Sequence, residues 1–361
     1  MIRSAVANLH LLGRPGRRLF ASSAGCLKHS VLFFGSDRFS VASLRRILHD
    51  KECLSHVEVV VPRGADYKAS NPHDKDVPLK RFALENGIKV HVAPPISLKG
   101  WEMPESSGSR FDLGIVVSFG YFIPARLIQC FSAGTLNVHP SLLPRYRGAS
   151  PIDYALLNND QSTGVSIIEL HPSRFDAGKI LRQASIDIPD NCYYHELHDR
   201  LAELGASQLA EVLRSLEAHK AQAQVQDSSM VTKAPKIVKS QAAIDWSGDT
   251  AEKIYRTHRA IGHRFALMAT YRNKMIKFMD LHPPNAPLKS PFSPPCPGAS
   301  PGTFCFDRDN DLTWVKCADE WLGIRTIMVD GKNRPLGGLD FKNGYQYKDC
   351  QEAFQAYVMP Q

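Results

Sequence analysis

The sequence lacks any long apolar run. No stretch of its 361 residues approaches the roughly 20 consecutive apolar residues that a membrane-spanning helix requires. Charged residues make up 22% and hydrophobic residues 43%, which are values typical of globular domains rather than of disordered or fibrous chains. These features exclude a membrane-spanning role, and the length predicts two folded domains.

Clustered cysteines and nucleotide-binding loops are also missing. The eight cysteines are widely spaced, without a CxxC pair or a Cys/His cluster at zinc-ligand spacing. We therefore expect reduced thiols in an intracellular compartment and no metal. His195 and His198 lack the spacing of an HExxH zinc motif, and neither GxxxxGK[ST] nor GxGxxG occurs, so no nucleotide-binding loop is expected.

Acidic residues are absent from the first thirty positions, which hold five basic ones. A stretch rich in Arg, Ser, Ala and Leu is typical of a mitochondrial import presequence. A disordered basic tail or a secretory signal are the alternatives, although residues 13–16 (GRPG) interrupt any apolar core of a signal. We predict a transit peptide at residues 1–30, removed on the way to the mitochondrial matrix.

Short apolar runs alternate with helical patterns after this segment. This alternation predicts an α/β domain at residues 31–221 with a mostly parallel sheet, in which ligands bind at the carboxyl ends of the strands. The predicted strands are 31–34, 57–61, 89–92, 113–117 and 164–170, and the predicted helices are 39–49, 79–86 and 194–221. Residues 222–244 have the composition of a linker, and short β-rich runs within 245–361 predict a small barrel.

Residues 134–151, GTLNVHPSLLPRYRGASP, concentrate groups that carry chemistry. Asn137 and His139 stand two apart, so on an extended segment they face the same side. Asp176, after the 164–170 strand, could orient His139 and stabilise its imidazolium. A lone histidine is more often structural than catalytic, and it is the clustering that favours a site.

The string NVHPSLLPRYRGASP with the downstream FDAGKI resembles the signature of the formyltransferases that use 10-formyltetrahydrofolate. The order of parts over residues 31–361 resembles the methionyl-tRNA formyltransferases, in their mitochondrial form. The resemblance implies a Rossmann-like formyltransferase domain, an OB-like C-terminal barrel, 10-formyltetrahydrofolate as formyl donor, methionyl-tRNA as acceptor, no metal and a monomer.

The resemblance also assigns residues. Asn137, His139 and Asp176 match the catalytic residues of the family. The folate-contacting positions correspond to Phe119, Gly120, Tyr121, Ser141, Leu142, Leu143 and Pro144. Residues 63–81 occupy the place of a loop that contacts the tRNA acceptor stem, which makes Arg63, Lys68, Lys80 and Arg81 candidate tRNA-binding residues, although this loop also carries acidic residues.

A basic interval, residues 231–277, holds ten Lys/Arg against three acids, with aromatic residues interleaved. Such a surface suits tRNA phosphates and unpaired ends, with Lys236, Arg256 and Arg259 as candidates; a solvated basic face is the alternative. A 10-formyltetrahydrofolate hydrolase, another folate-dependent formyltransferase such as one acting on a sugar amine, and a non-catalytic tRNA-binding protein also remain open.

Overall fold

The computed structural model describes residues 27–64, 76–106, 110–345 and 347–358. All but the last four residues of the predicted transit peptide lie outside these ranges, as does Lys68. No helix in the described ranges is both long enough and apolar enough to cross a membrane.

The N-terminal domain is built on a seven-stranded sheet in the order β3-β2-β1-β4-β5-β6-β7. Strands β1 to β5 run parallel, whereas β6 is antiparallel to both β5 and β7. The elements are β1 (His29–Gly35), α1 (Arg38–His49), β2 (Leu54–Val61), α2 (Pro78–Glu85), β3 (Val90–Val92), β4 (Leu113–Val117), α3 (Ala125–Ile128), β5 (Thr135–His139), α4 (Pro151–Leu157), β6 (Ser162–Glu169), β7 (Ile180–Asp187), α5 (Tyr194–Arg214) and α6 (Leu216–Ala221). The predicted Rossmann-like domain is confirmed.

The central strands are continuous apolar runs because both faces of the sheet are covered. Every residue of β1 and of β4 is buried, as expected for parallel strands between helical layers. Asp37 caps α1 by accepting a hydrogen bond from the Ser40 amide. The helix predicted over 194–221 is divided at Ser215 into α5 and α6, and α5 packs on α1 and the sheet.

The C-terminal domain is a curled antiparallel sheet of seven strands. Six follow the order β10-β11-β12-β9-β8-β14, and β13 pairs with β12. The elements are α7 (Ala251–Ile261), β8 (Leu267–Tyr271), β9 (Lys274–Leu281), β10 (Phe304–Asp307), β11 (Leu312–Lys316), β12 (Trp321–Val329), β13 (Leu336–Gly337), α8 (Gly338–Tyr345) and β14 (Gln355–Ala356). This arrangement confirms the small β-rich domain predicted from the sequence.

Helix α7 joins the two domains. It packs against α4, and the buried Arg259 on it donates to the Cys192 carbonyl, 2.9 Å away. The His263 ring, just after α7, stacks on Tyr194 of α5 with ring centroids 3.8 Å apart. One apolar core is continuous from the parallel sheet through α7 to the curled sheet, so the domains form a single packed unit.

One cysteine pair was not predicted from the sequence. Cys296 and Cys350 lie side by side, with Cα atoms 6.0 Å apart. Cys130, Cys192, Cys305 and Cys317 are free thiols. The 54-residue separation of Cys296 and Cys350 hides their pairing from the sequence, because folding of the C-terminal domain brings them together.

Candidate active site

A cavity of about 490 Å³ lies at the carboxyl ends of β1, β4 and β5. Its wall includes residues that follow each of these strands and residues of the loop after β6, together with Arg264, which follows α7. Parallel strands bring their carboxyl ends to the same edge of a sheet, so this is the expected position for a ligand. Asn137, His139 and Asp176 all line the cavity, as predicted.

His139 is held through both ring nitrogens. Nε2 lies 3.0 Å from the Tyr146 carbonyl oxygen, which can only accept a hydrogen bond, so this contact requires a proton on Nε2. Nδ1 lies 3.5 Å from Asp176 Oδ1. Nδ1 is therefore the nitrogen that can take up or release a proton, and the Asp176 carboxylate stabilises the protonated ring.

Asn137 stands on β5, two positions before His139 and on the same side of the strand. Both side chains are almost fully buried, with 9% and 4% exposure. An amide donor and an imidazole thus meet at the floor of one cavity, in a setting where water competes weakly for their hydrogen bonds.

The loop carrying Asp176 is tightly fixed. Asp176 has a left-handed backbone conformation, with φ of 51°, and its Oδ2 accepts from the Gly148 amide at 2.9 Å. Gly178 follows at a position where a Cβ would lie 1.6 Å from the Glu169 carbonyl oxygen, so only glycine fits. The carboxylate is therefore held on both sides before any ligand binds.

The predicted folate-contacting residues divide into two groups. Phe119, Gly120 and Tyr121 line the cavity. The other group, Ser141, Leu142, Leu143 and Pro144, does not appear in its wall. There the Ser141 hydroxyl donates to the Arg145 carbonyl, and the Leu143 amide donates to Ser166. This stretch shapes the turn after β5, and its contact with the folate stays a prediction.

The cavity wall also contains charged groups that the sequence did not single out: Asp37, Asp153, His198 and Arg264. Burial raises the pKa of Asp37, and burial raises the pKa of Asp153 to about 6. Asp153 Oδ1 is buried with no hydrogen-bond partner among the described residues. Asp37 directly follows β1, so the strand-end rule could have found it, whereas Asp153 reaches the cavity only through the packing of α4.

The candidate tRNA-binding residues occupy different settings. Arg63 and Arg81 are exposed, and Lys80 is half-buried at the start of α2. Lys236 is exposed, and Arg256 is half-buried on α7. The predicted contact of Arg259 with tRNA is not compatible with its position, because its guanidinium is buried, donates to Cys192 and stacks on Tyr255.

No group of three or more His, Cys, Asp or Glu side chains in the described part of the chain is placed to hold a metal ion. Besides an amide and an imidazole–carboxylate pair, the cavity offers two further carboxyls, two further imidazoles and two guanidinium groups, which belong to Asp37, Asp153, His171, His198, Arg174 and Arg264. Such a set can polarise a carbonyl and move a proton without a covalent intermediate.

Two family models match the chain. The one described as formyl transferase matches residues 30–213, and the one described as formyl transferase, C-terminal domain, matches residues 236–346. The mitochondrial methionyl-tRNA formyltransferases of Bos taurus and Homo sapiens are 33% and 34% identical to it over 90% of this chain and 80% of each relative. The methionyl-tRNA formyltransferase of Methylococcus capsulatus is 33% identical over 87% of this chain and 96% of its own.

Solved structures share the fold. HypX from Aquifex aeolicus in complex with tetrahydrofolic acid matches with a TM-score of 0.57 at 16% identity, over 92% of this chain and 51% of HypX. This chain thus spans about half the length of HypX. WlaRD, a sugar 3N-formyl transferase, matches with a TM-score of 0.55 at 17% identity, over 85% of this chain and 99% of WlaRD.

The two-domain fold, matched by a family model over each domain, is that of a formyl-group transferase. The chain belongs to the formyltransferase family, in the branch that contains the methionyl-tRNA formyltransferases.

Proposed function

We propose that this enzyme transfers the formyl group of 10-formyltetrahydrofolate to the α-amine of methionyl-tRNA in mitochondria, giving formylmethionyl-tRNA for translation initiation. The observation that carries the proposal is the meeting of Asn137, His139 and Asp176 in one cavity whose wall also includes Arg264 of the basic interval. Catalytic groups and a tRNA-binding face are then parts of one site.

The side of the cavity formed by residues 118–121 suits the formyl donor. Phe119 is buried, and its ring packs edge-on against Tyr121 with centroids 5.1 Å apart. Gly120 has φ of 82° and leaves the space where a side chain would stand open. An apolar wall beside exposed backbone polar groups fits a flat, hydrogen-bonding ring system such as a pterin, and the cavity volume lies in the range of small-molecule sites.

The chemistry assigned to the pair follows from its geometry. When the amine nitrogen bonds to the formyl carbon, negative charge develops on the formyl oxygen, and the bond to N10 then breaks. The Asn137 amide donates to that oxygen, and the His139 ring transfers the proton lost by the amine to N10. Asp176 stabilises the imidazolium form between these two proton transfers.

Another part of the wall suits the acceptor. Asp37 and Asp153 place carboxyl groups in the same cavity, where they can accept hydrogen bonds from the attacking amine. The exposed Lys236 and the half-buried Arg256 continue the basic interval outside it, where tRNA phosphates would lie. A hydrolase or a sugar-amine transferase would have no use for this basic face.

The proposal is tested by following labelled formyl from 10-formyltetrahydrofolate in the presence of the purified protein and methionyl-tRNA. Uncharged tRNA and water serve as competing acceptors. We expect labelled formylmethionyl-tRNA and free tetrahydrofolate. Labelled formate, released at a rate indifferent to methionyl-tRNA, would instead identify a 10-formyltetrahydrofolate hydrolase.

A separate experiment tests the compartment. The basic, acid-free first thirty residues and the mitochondrial names of the relatives support import into the matrix. A fusion of the whole chain to a C-terminal fluorescent protein should enter mitochondria, and deletion of residues 1–30 should leave it in the cytosol. Mitochondrial import of the deletion variant would contradict this assignment.

A further inference from the structure

The segment between the domains, residues 224–234, lies against the active site; we call it the interdomain strap. It begins by pairing with the edge of the parallel sheet, since Gln224 and Ile180 exchange two backbone hydrogen bonds of 2.8 and 2.9 Å. It then passes beneath the loop that carries Asp176. Although its composition is that of a linker, the strap is packed along the catalytic loops.

Gln226 is the buried side chain of this strap, with 9% exposure. Its Nε2 donates to the backbone carbonyls of Asp176 and Gly178 at 2.8 and 2.7 Å. Its Oε1 accepts from Nε and Nη2 of Arg147 at 3.0 and 2.7 Å. One amide thus uses both donor hydrogens and its oxygen to join the two loops that flank His139.

The same strap also holds the loop on the other side of His139. The Tyr146 amide donates to Thr232 Oγ1 at 2.8 Å, and the Arg147 amide donates to the Thr232 carbonyl at 2.9 Å. The Ala234 amide then donates to the Arg147 carbonyl at 2.8 Å. Tyr146 is the residue whose carbonyl accepts from His139 Nε2.

Both partners of the catalytic imidazole are therefore attached to the strap: Tyr146 through Thr232, and Asp176 through Gln226. We propose that Gln226 is a positioning residue of the active site, which fixes the Asp176 carboxylate against His139 Nδ1. The inference rests on the proposed function and adds to it a residue, from outside both predicted domains, on which the rate of formyl transfer depends.

Two variants separate this role from general stability. Gln226→Leu keeps a branched side chain, one atom shorter than that of Gln, and removes all four hydrogen bonds. Gln226→Glu keeps the acceptor for Arg147 but places an oxygen against the carbonyls of Asp176 and Gly178. Gln224→Leu is the matched control, because the Gln224 side chain is exposed two positions away on the same strap.

We expect Gln226→Leu and Gln226→Glu to lower kcat by about 10- to 100-fold with KM for both substrates within roughly twofold of wild type, since Asp176 is displaced and the binding surfaces are not. Gln224→Leu should match the wild type. Equal activity of the folded Gln226 variants and the control would overturn the inference.

A double-mutant cycle with Asp176→Asn identifies the route of the effect. If Gln226 acts through Asp176, Gln226→Leu should cost less than about twofold further once Asp176→Asn is present. The full 10- to 100-fold loss in both backgrounds would contradict a positioning role. If Gln226→Leu does not fold, the same double-mutant cycle is measured with Gln226→Glu and interpreted in the same way.

The histidine ring resonances of the substrate-free protein supply a readout that needs no activity. The His139 signal, assigned by its absence in His139→Ala, should shift in Gln226→Glu and stay in place in Gln224→Leu. The His139 signal could shift in Gln226→Glu while the wild-type protein transfers no formyl group. That result would contradict the proposed function and support the positioning of His139. An unshifted His139 signal in an active enzyme would overturn the inference alone.

Discussion

At the scale of single residues, the proposed formyl transfer depends on an imidazole whose two nitrogens have different tasks. Nε2 of His139 is committed to the Tyr146 carbonyl, and Nδ1 faces Asp176. Nδ1 is then the nitrogen that transfers the proton, and the positive charge of the protonated ring is stabilised by Asp176 at the same nitrogen. Removing either member of the pair should affect the chemical step and leave the fold intact.

We predict that His139→Ala and Asp176→Asn each lower kcat for formyl transfer by at least about 100-fold, the scale of a lost acid–base or charge-stabilising group. His49→Ala, at the exposed end of α1, is the control and should keep wild-type activity. Circular dichroism and melting temperature establish that the variants fold. A folded His139→Ala enzyme with near-normal turnover would remove His139 from the mechanism.

Asp153 supports a prediction about stability and pH. Because burial raises its pKa to about 6 from an ordinary value near 3.8, the folded state retains a proton that the unfolded chain has lost between these values. The penalty of the buried carboxylate therefore grows as pH rises through this window and is complete above it. Asp153→Asn should stabilise the protein by on the order of 2–3 kcal/mol at pH 8 and by less at pH 5.

Urea unfolding at the two pH values measures this difference. Asp190→Asn, at an exposed carboxyl in the loop before α5, serves as the control and should change stability little at either pH. A gain for Asp153→Asn that is the same at pH 5 and pH 8 would show that the buried carboxyl keeps its ordinary titration.

The sequence was sufficient to predict some of the cavity residues and not others. Asn137, His139 and Asp176 belong to a recognisable string, so pattern and resemblance were sufficient. Asp153 lies in a helix that was not predicted, and its place in the cavity depends on how α4 packs on α7. Arg259 is the opposite case. Its position in the basic interval predicts an exposed side chain, but packing against the first domain buries it.

At the scale of elements, the loop after β6 decides where Asp176 stands. Gly178 allows this loop to pass against Glu169 at a distance that excludes any side chain. Loops at the carboxyl ends of strands commonly carry function, and this one is rigid because the sheet edge and the interdomain strap hold it from both sides.

Gly178→Ala should therefore lower kcat by on the order of 100-fold, since the added methyl displaces the loop and with it the Asp176 carboxylate. Gly344→Ala in α8 is the matched control, because nothing lies within 4 Å of its added methyl. Initial rates and melting temperatures of the two variants test this directly. Equal rates would mean that the loop adapts without moving Asp176.

Strands and helices with strong patterns were predicted close to their observed bounds, including β1, β4 and α1. Strand β7 was missed, because half of its residues are exposed or polar and its antiparallel place at the edge leaves no continuous apolar run. The sequence predicted a linker where the interdomain strap lies. The strap is held largely by backbone hydrogen bonds, which do not depend on residue type and therefore cannot be predicted from composition.

At the scale of the whole molecule, one core joins the domains, and Arg264 of the basic interval lines the catalytic cavity of the first domain. We predict that Lys236→Gln and Arg256→Gln each weaken binding of methionyl-tRNA and lower the slope of log K against log salt by about 0.7 to 0.9 per lost phosphate contact. Lys332→Gln, at an exposed position outside the basic interval, is the control for net charge.

Filter binding at several salt concentrations tests this prediction. The Lys332→Gln variant should keep the wild-type slope. An unchanged slope for both Lys236→Gln and Arg256→Gln would place the tRNA on another face of the molecule.

We propose that both domains serve one reaction, with chemistry in the first and tRNA held by the second. The most direct test of this proposal compares formyl transfer from 10-formyltetrahydrofolate to methionyl-tRNA and to methionine methyl ester, which carries the same reacting amine without the tRNA. We predict a kcat/KM at least about 100-fold higher for methionyl-tRNA, because contacts remote from the amine contribute to the transition state. Equal values for the two acceptors would contradict the account.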